Sequence, residues 1–227
     1  MLSATATLAR SNASELPARM ATGSAITAIL ALAALHTLSP EFDPSWRMVS
    51  EYANGHYGWV LSLMFLAWAL SSWALAFALW PEVRNVAGKI GLCLLVVSGI
   101  GEAMAGVFDI NHHPGHDLAG ALGVPTMAVA ATLISVSLGR LQPWSAARRL
   151  LLWTSNLVWL SLLLLVATMI VFVVTLHHAG AHMSGHMTQL PPGVIALDGW
   201  ANRMYVVTSC VWLILAASPR PIKKSLT

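Results

Sequence analysis

LLLWTSNLVWLSLLLLVATMIVFVVTL, residues 150–176, carries no charged side chain, follows directly on Arg148-Arg149 and runs straight into His177-His178. As a helix rising 1.5 Å per residue it would reach about 40 Å, more than the ~30 Å hydrocarbon core of a bilayer requires. Barrel strands are about ten residues long and alternate in polarity, whereas this run is continuous. The segment therefore reads as a membrane-spanning helix with guanidinium groups at one end and imidazoles at the other.

Working outward, five further apolar runs are long enough to span: roughly 21–38, 57–79, 90–110, 118–138 and 200–217. With 57% hydrophobic and only 9% charged residues, and a mean hydropathy of +0.70, the chain lacks the polar surface that a water-soluble domain of its length needs. The expected fold class is all-α: a polytopic membrane protein with six transmembrane helices in one bundle. Residues 1–19 read as a polar, disordered N-terminus, 20–218 as the transmembrane domain and 219–227 as a basic tail.

The asymmetry of the fifth run extends to the whole chain. Arg10, Arg19, Arg84, Lys89, Arg140, Arg148, Arg149, Arg220, Lys223 and Lys224, ten of the twelve cations, fall at one set of helix ends, and only Arg47 and Arg203 fall at the other. The positive-inside rule then puts both termini in the cytoplasm. The net charge of +3 describes an inner surface facing anionic lipid and gives no support to nucleic-acid binding. The first run is read as a retained span in preference to a signal sequence, because it is long for a signal core and continues to His36. Cys93 and Cys210 both lie within apolar runs, so no disulfide framework or Cys-x-x-Cys metal site is expected.

All nine histidines, and seven of the nine carboxylates, belong to the opposite, outward set of ends. Imidazole and carboxylate are ligands for zinc and copper and exchange protons near neutral pH, so an outward site is the candidate functional feature. After the fifth run, His178, His182 and His186 recur every fourth residue, which on a helical extension lines three imidazoles along one face. Met183 and Met187 add thioethers that suit copper. The plainer reading is a polar loop that binds metal only adventitiously, as other histidine-rich tracts do.

Between the third and fourth runs, Asp109-Ile110-Asn111-His112-His113-Pro114-Gly115-His116-Asp117 repeats the theme. Pro114-Gly115 predicts the turn, which would bring Asp109 and His116 together. His116, His112, Asp109 and the imidazoles of the fifth loop form the candidate metal set, and Asp117 is expected to cap the fourth helix. Glu102, inside the third run, is costly in lipid and needs a partner or a role. Either Glu102 or Asp109 is expected to pair with Arg203, which lies in the sixth run. Ser50 reads as a helix cap near Glu51 and His56, and Trp68, Trp73, Trp159 and Trp212 as packing residues.

Together these residues resemble the prokaryotic six-span membrane family catalogued as domain of unknown function 998. The resemblance rests on Ser50-Glu51-Tyr52 with Gly55 and Gly58, on Gly106-Val107-Phe108-Asp109, on His116 with Gly120, and on Asn202-Arg203 with Trp212. It implies the six-span architecture, a prokaryotic plasma-membrane location, and a polar cluster of Ser50, Asp109, His116 and Arg203, but no reaction. In the logic of its site the chain is also loosely similar to multi-span hydrolases such as the alkaline ceramidases, which hold zinc among Ser, Asp and His.

Three functions remain open at this point. The first is a non-enzymatic protein that binds copper or zinc. The second is a metal-dependent hydrolase of a lipid-like substrate, with Asp109 or Glu102 as general base and Arg203 steadying an oxyanion. The third is a structural or partner-binding membrane protein. Haem fits less well, since its ligands normally face each other within a bundle.

Overall fold

The computed structural model of the protein describes residues 2–181 and 189–218. Six long helices follow one another: α1 Leu2–Leu38, α2 Gly58–Leu79, α3 Val86–Val107, α4 His113–Leu138, α5 Arg148–His178 and α6 Asp198–Ala217. Short 3-10 helices, Val49–Asn54 and Gln142–Ala147, lie before α2 and α5. No strand occurs among the described residues, and each of the six helices contains a stretch long and apolar enough to cross a membrane. In α1 that stretch is Glu15–Leu38. The helix itself begins at Leu2.

Helices adjacent in sequence pack side by side, and α1 meets α6 to close the ring. α6 also reaches α2 and α4 across it. Apolar packing is supplemented by hydrogen bonds between helices, which in lipid compete with no water. Ser71 Oγ donates to Ala21 O at 2.8 Å, joining α2 to α1, and Trp73 Nε1 to Val96 O at 3.1 Å, joining α2 to α3. Trp159 Nε1 donates to Thr132 Oγ1 at 2.9 Å and Trp212 Nε1 to Ser135 Oγ at 3.0 Å, tying α5 and α6 to α4. These bonds give Trp73, Trp159 and Trp212 the packing role expected of them, and Trp68 is buried as well. Leu160, Leu163, Ile170 and Val173 of α5 remain exposed on the surface that faces hydrocarbon.

α3 and α4 come closest at Gly101, where an added Cβ would lie 2.3 Å from the Gly123 nitrogen and 2.6 Å from the Ala119 oxygen. Only a residue without a side chain admits that approach. At the basic end, Asn85 caps α3 by accepting from Gly88 N at 2.7 Å and also accepts from Ser137 Oγ of α4 at 3.0 Å. Trp144 Nε1 donates to Glu82 Oε2 at 2.8 Å beside it. Cys93 and Cys210 are not joined.

The connections at the histidine-bearing end differ from the sequence expectation in three places. Pro114 is not in the turn between α3 and α4 but in the first turn of α4, where a missing N–H costs nothing. The turn lies earlier, where Asp109 Oδ1 accepts from Asn111 N at 2.9 Å and Asp109 O from His112 N at 2.9 Å. His112 therefore occupies the N-cap position and Asp117 sits inside α4, so Asp117 is not its cap. Ser50 is not a helix cap either: it lies within the first 3-10 helix, whose leading N–H, that of Met48, donates to Glu51 Oε1 at 2.8 Å. Finally, α5 ends at His178, because Gly180 takes φ +67° and Ala181 N turns back to Leu176 O at 3.2 Å. The helical extension expected to align the fifth-loop imidazoles stops there.

Candidate functional site

Hydrogen bonds draw the histidine-bearing ends of all six helices together. Asn111 Nδ2, in the α3–α4 turn, donates to Asn54 Oδ1 at the end of the 3-10 helix that precedes α2 (2.9 Å). Ile195 N, ahead of α6, donates to Thr175 Oγ1 near the end of α5 (3.1 Å). Val49 N donates to Asn202 Oδ1 of α6 (2.9 Å) and Gly199 N to Ser45 O (3.1 Å), fastening the loop after α1 onto α6.

Arg203 is the centre of that fastening and is only 4% exposed. Its Nε donates to His36 Nε2 at 2.9 Å. Nη1 donates to Arg47 O at 2.6 Å and Gly199 O at 2.9 Å, and Nη2 to the Tyr52 hydroxyl at 2.9 Å. The guanidinium also lies 5.3 Å from the Tyr52 ring, within cation–π range. Trp200 stacks on His36, with ring centroids 6.3 Å apart. The expected Glu102–Arg203 and Asp109–Arg203 pairs are both absent: α3 packs against α2 and α4, whereas Arg203 points toward α1 and its loop. The other cation at the histidine-bearing end, Arg47, pairs with Glu51, and both are buried. Asp198 is buried close by.

His36, Arg47, Tyr52 and Asp198 were not singled out as a site by sequence reasoning. One signal was available: Arg47 and Arg203 are the two cations away from the basic end and so require internal partners.

Asp109 binds its own turn. Besides Asn111 N, its Oδ1 receives His112 Nδ1 at 2.9 Å, and these hydrogen bonds, that of His112 foremost, hold its carboxyl below the usual aspartate range. Asp43, in the loop after α1, is lowered likewise, by bonds from the Ser45 N–H and hydroxyl. His116 does not bond to Asp109: its Nδ1 donates to Phe108 O at 3.0 Å. His178 Nδ1 donates to Val174 O at 2.8 Å and His36 Nδ1 to Leu32 O at 2.8 Å. A carbonyl can only accept, so Nδ1 carries the proton in His36, His116 and His178, and in the neutral ring Nε2 keeps the lone pair. In His36 that lone pair is taken by Arg203. Among the described residues, nothing engages those of His112, His116 and His178.

Ser50 is half-buried in the 3-10 helix next to Glu51 and Tyr52. Glu102 is 4% exposed and bonds to Ser72 and Ser98. His182 and His186, with Met183 and Met187, lie outside the described residues. Among the described residues no three His, Cys, Asp or Glu side chains stand together as a ready metal site.

Fold and site thus define a multi-pass membrane protein whose polar machinery gathers at one end of a six-helix ring. The family described as protein of unknown function (DUF998) matches residues 22–219, and the chain belongs to it. No curated protein and no solved structure matches the chain.

Proposed function

We propose that this is a non-enzymatic, metal-handling membrane protein that captures copper or zinc on the extracytoplasmic side of a prokaryotic plasma membrane. The observation that carries the reading is the shared state of three imidazoles, exposed in His112 and His178 and half-buried in His116. His112, His116 and His178 each anchor Nδ1–H on an oxygen and leave Nε2 without a hydrogen-bond partner among the described residues. An oxygen behind the distal nitrogen orients a metal-binding histidine and raises its basicity, and the Asp109–His112 pair has that carboxylate–imidazole form. His182 and His186 are proposed to complete the ligand set, with Asp109 supporting it. No preassembled cluster exists among the described residues, so the fit is to a site that closes on the ion it captures.

The hydrolase alternative is less well supported. Arg203, its proposed oxyanion partner, has its donors engaged on His36, Tyr52 and backbone carbonyls, and of its two proposed bases Asp109 already holds two donors and Glu102 is buried against Ser72 and Ser98. The test is elemental analysis of the full chain after loading with zinc or copper and desalting. About one ion per chain should be retained, and should be lost on replacing His112, His116 and His178 together with alanine. Absence of retained metal in the unsubstituted protein would end the proposal.

A further inference from the structure

Glu102 lies more than a helical turn below the end of α3, and the described residues of the bundle offer it no counter-charge. α2 contains no charged residue, α4 carries its ionisable groups in its first two turns, and Lys89 is at the opposite end of α3. From α6, the ionisable side chains are Asp198, Arg203, Tyr205 and Cys210. Arg203 is engaged with α1 and its loop, and the Tyr205 hydroxyl donates to Val124 O at 2.7 Å.

The hydrogen bonds around the carboxyl can be counted proton by proton. Ser72 Oγ donates to Glu102 Oε2 at 2.8 Å. Ser98 Oγ lies 2.9 Å from Gly123 O and 3.1 Å from Glu102 Oε1. One hydroxyl has one proton, and the carbonyl, the nearer of the two, can only accept. With the Ser98 proton on Gly123 O, the remaining contact needs a proton on Glu102. Three protons, on Ser72, Glu102 and Ser98, then fill three contacts. An ionised Glu102 leaves one contact unfilled and a charge in the apolar interior with only neutral hydroxyls beside it.

We propose that Glu102 is an intramembrane proton-binding site: a carboxylic acid whose proton completes a chain from Ser72 through Glu102 and Ser98 to Gly123 O, joining α2, α3 and α4. The chain is independent of the metal reading. It crosses the Gly101–Gly123 approach of α3 and α4, so release of the proton is coupled to the packing of those helices. The sequence carries part of the pattern, since Trp68 and Ser72, like Ser98 and Glu102, are four residues apart and share a helix face. Trp68 Nε1 is buried with no acceptor among the described residues, which extends the polar layer by one turn along α2.

The test is infrared spectroscopy of the full-length protein in lipid at neutral pH, read as the difference from Glu102→Gln. The unsubstituted chain should give a carboxylic-acid C=O band above amide I, lost in Glu102→Gln and shifted to higher frequency in Ser98→Ala, where its hydrogen bond is removed. The Ser98→Ala shift keeps the test decisive should Glu102→Gln misfold. A hydrophobic carbodiimide should add to the same residue, the carboxyl proton passing to a reagent nitrogen as the carboxyl oxygen bonds to the central carbon of the carbodiimide and one C=N becomes C–N, while a water-soluble carbodiimide should not. Carboxylate bands in place of the acid band would overturn the proposal. So would an acid band that appears only when sodium is withdrawn, because the resident ligand would then be a metal cation.

Discussion

The Arg203 backbone lies about 7 Å below the start of α6, and a lone cation on a membrane helix is destabilising by up to ~3 kcal/mol at the helix centre. The structure offsets this without a carboxylate in contact, through an imidazole, a phenol and backbone carbonyls. Arg203→Ala leaves those buried acceptors unfilled, at about 1–3 kcal/mol for an unsatisfied group, and should lower the thermal midpoint in detergent well beyond Arg203→Gln or any substitution on the lipid face. Arg203→Lys should rescue little, because an ammonium cannot reproduce a planar fork of donors. A melting curve unchanged in Arg203→Ala would refute the fastening role. Asp109 offers a second prediction. Its carboxyl is held below its ordinary value in the folded chain, so the turn's stabilisation is complete above the unfolded value and is lost only as pH falls through the folded one. Carboxyl NMR should therefore show Asp109 titrating below the free-aspartate value of about 3.9, and titration at or above it would contradict the His112 contact. The need for partners at Arg47, Glu102 and Arg203 was legible in the sequence, since charges in apolar surroundings require them. Which partners was not, because His36 and Tyr52 lie 167 and 151 residues from Arg203 and only the closure of α1 against α6 brings them near.

Among the elements, the spans were readable because lipid imposes one answer on a long apolar run: a helix that satisfies its own backbone. Their ends were less so. Pro114 reads equally as a turn residue or as a first-turn helix residue, and the choice fell to Asp109, whose side chain closes the turn earlier. Likewise the four-residue spacing of the fifth-loop histidines suggested a helix that Gly180 stops. The close crossing of α3 and α4 gives a matched pair of predictions. Gly101→Ala drives a methyl group into the backbone of Gly123 and Ala119 and should markedly lower the thermal midpoint. Gly120→Ala, with nothing within 4 Å of the added carbon, should be neutral or stabilise α4 by up to about 1 kcal/mol. Equal effects of the two substitutions would mean that α3 and α4 do not meet as described.

For the whole molecule, the ring of six helices collects histidines and carboxylates at one end and most cations at the other. The architecture follows from the sequence because both hydropathy and charge are read by the same solvent, the bilayer. The site is only partly legible, because convergence of side chains from different helices depends on ring order and helix rotation, which no local pattern encodes. The proposed metal capture and the cytoplasmic placement of both termini depend on which end faces outward. Single cysteines introduced at position 185, between α5 and α6 in the sequence, and at position 140, between α4 and α5, in a chain with Cys93 and Cys210 replaced by alanine, test this directly. A membrane-impermeant maleimide added to intact cells should modify position 185 and leave position 140 unmodified until the cells are opened. Modification of position 140 alone in intact cells would place the histidine-bearing end in the cytoplasm and contradict the account.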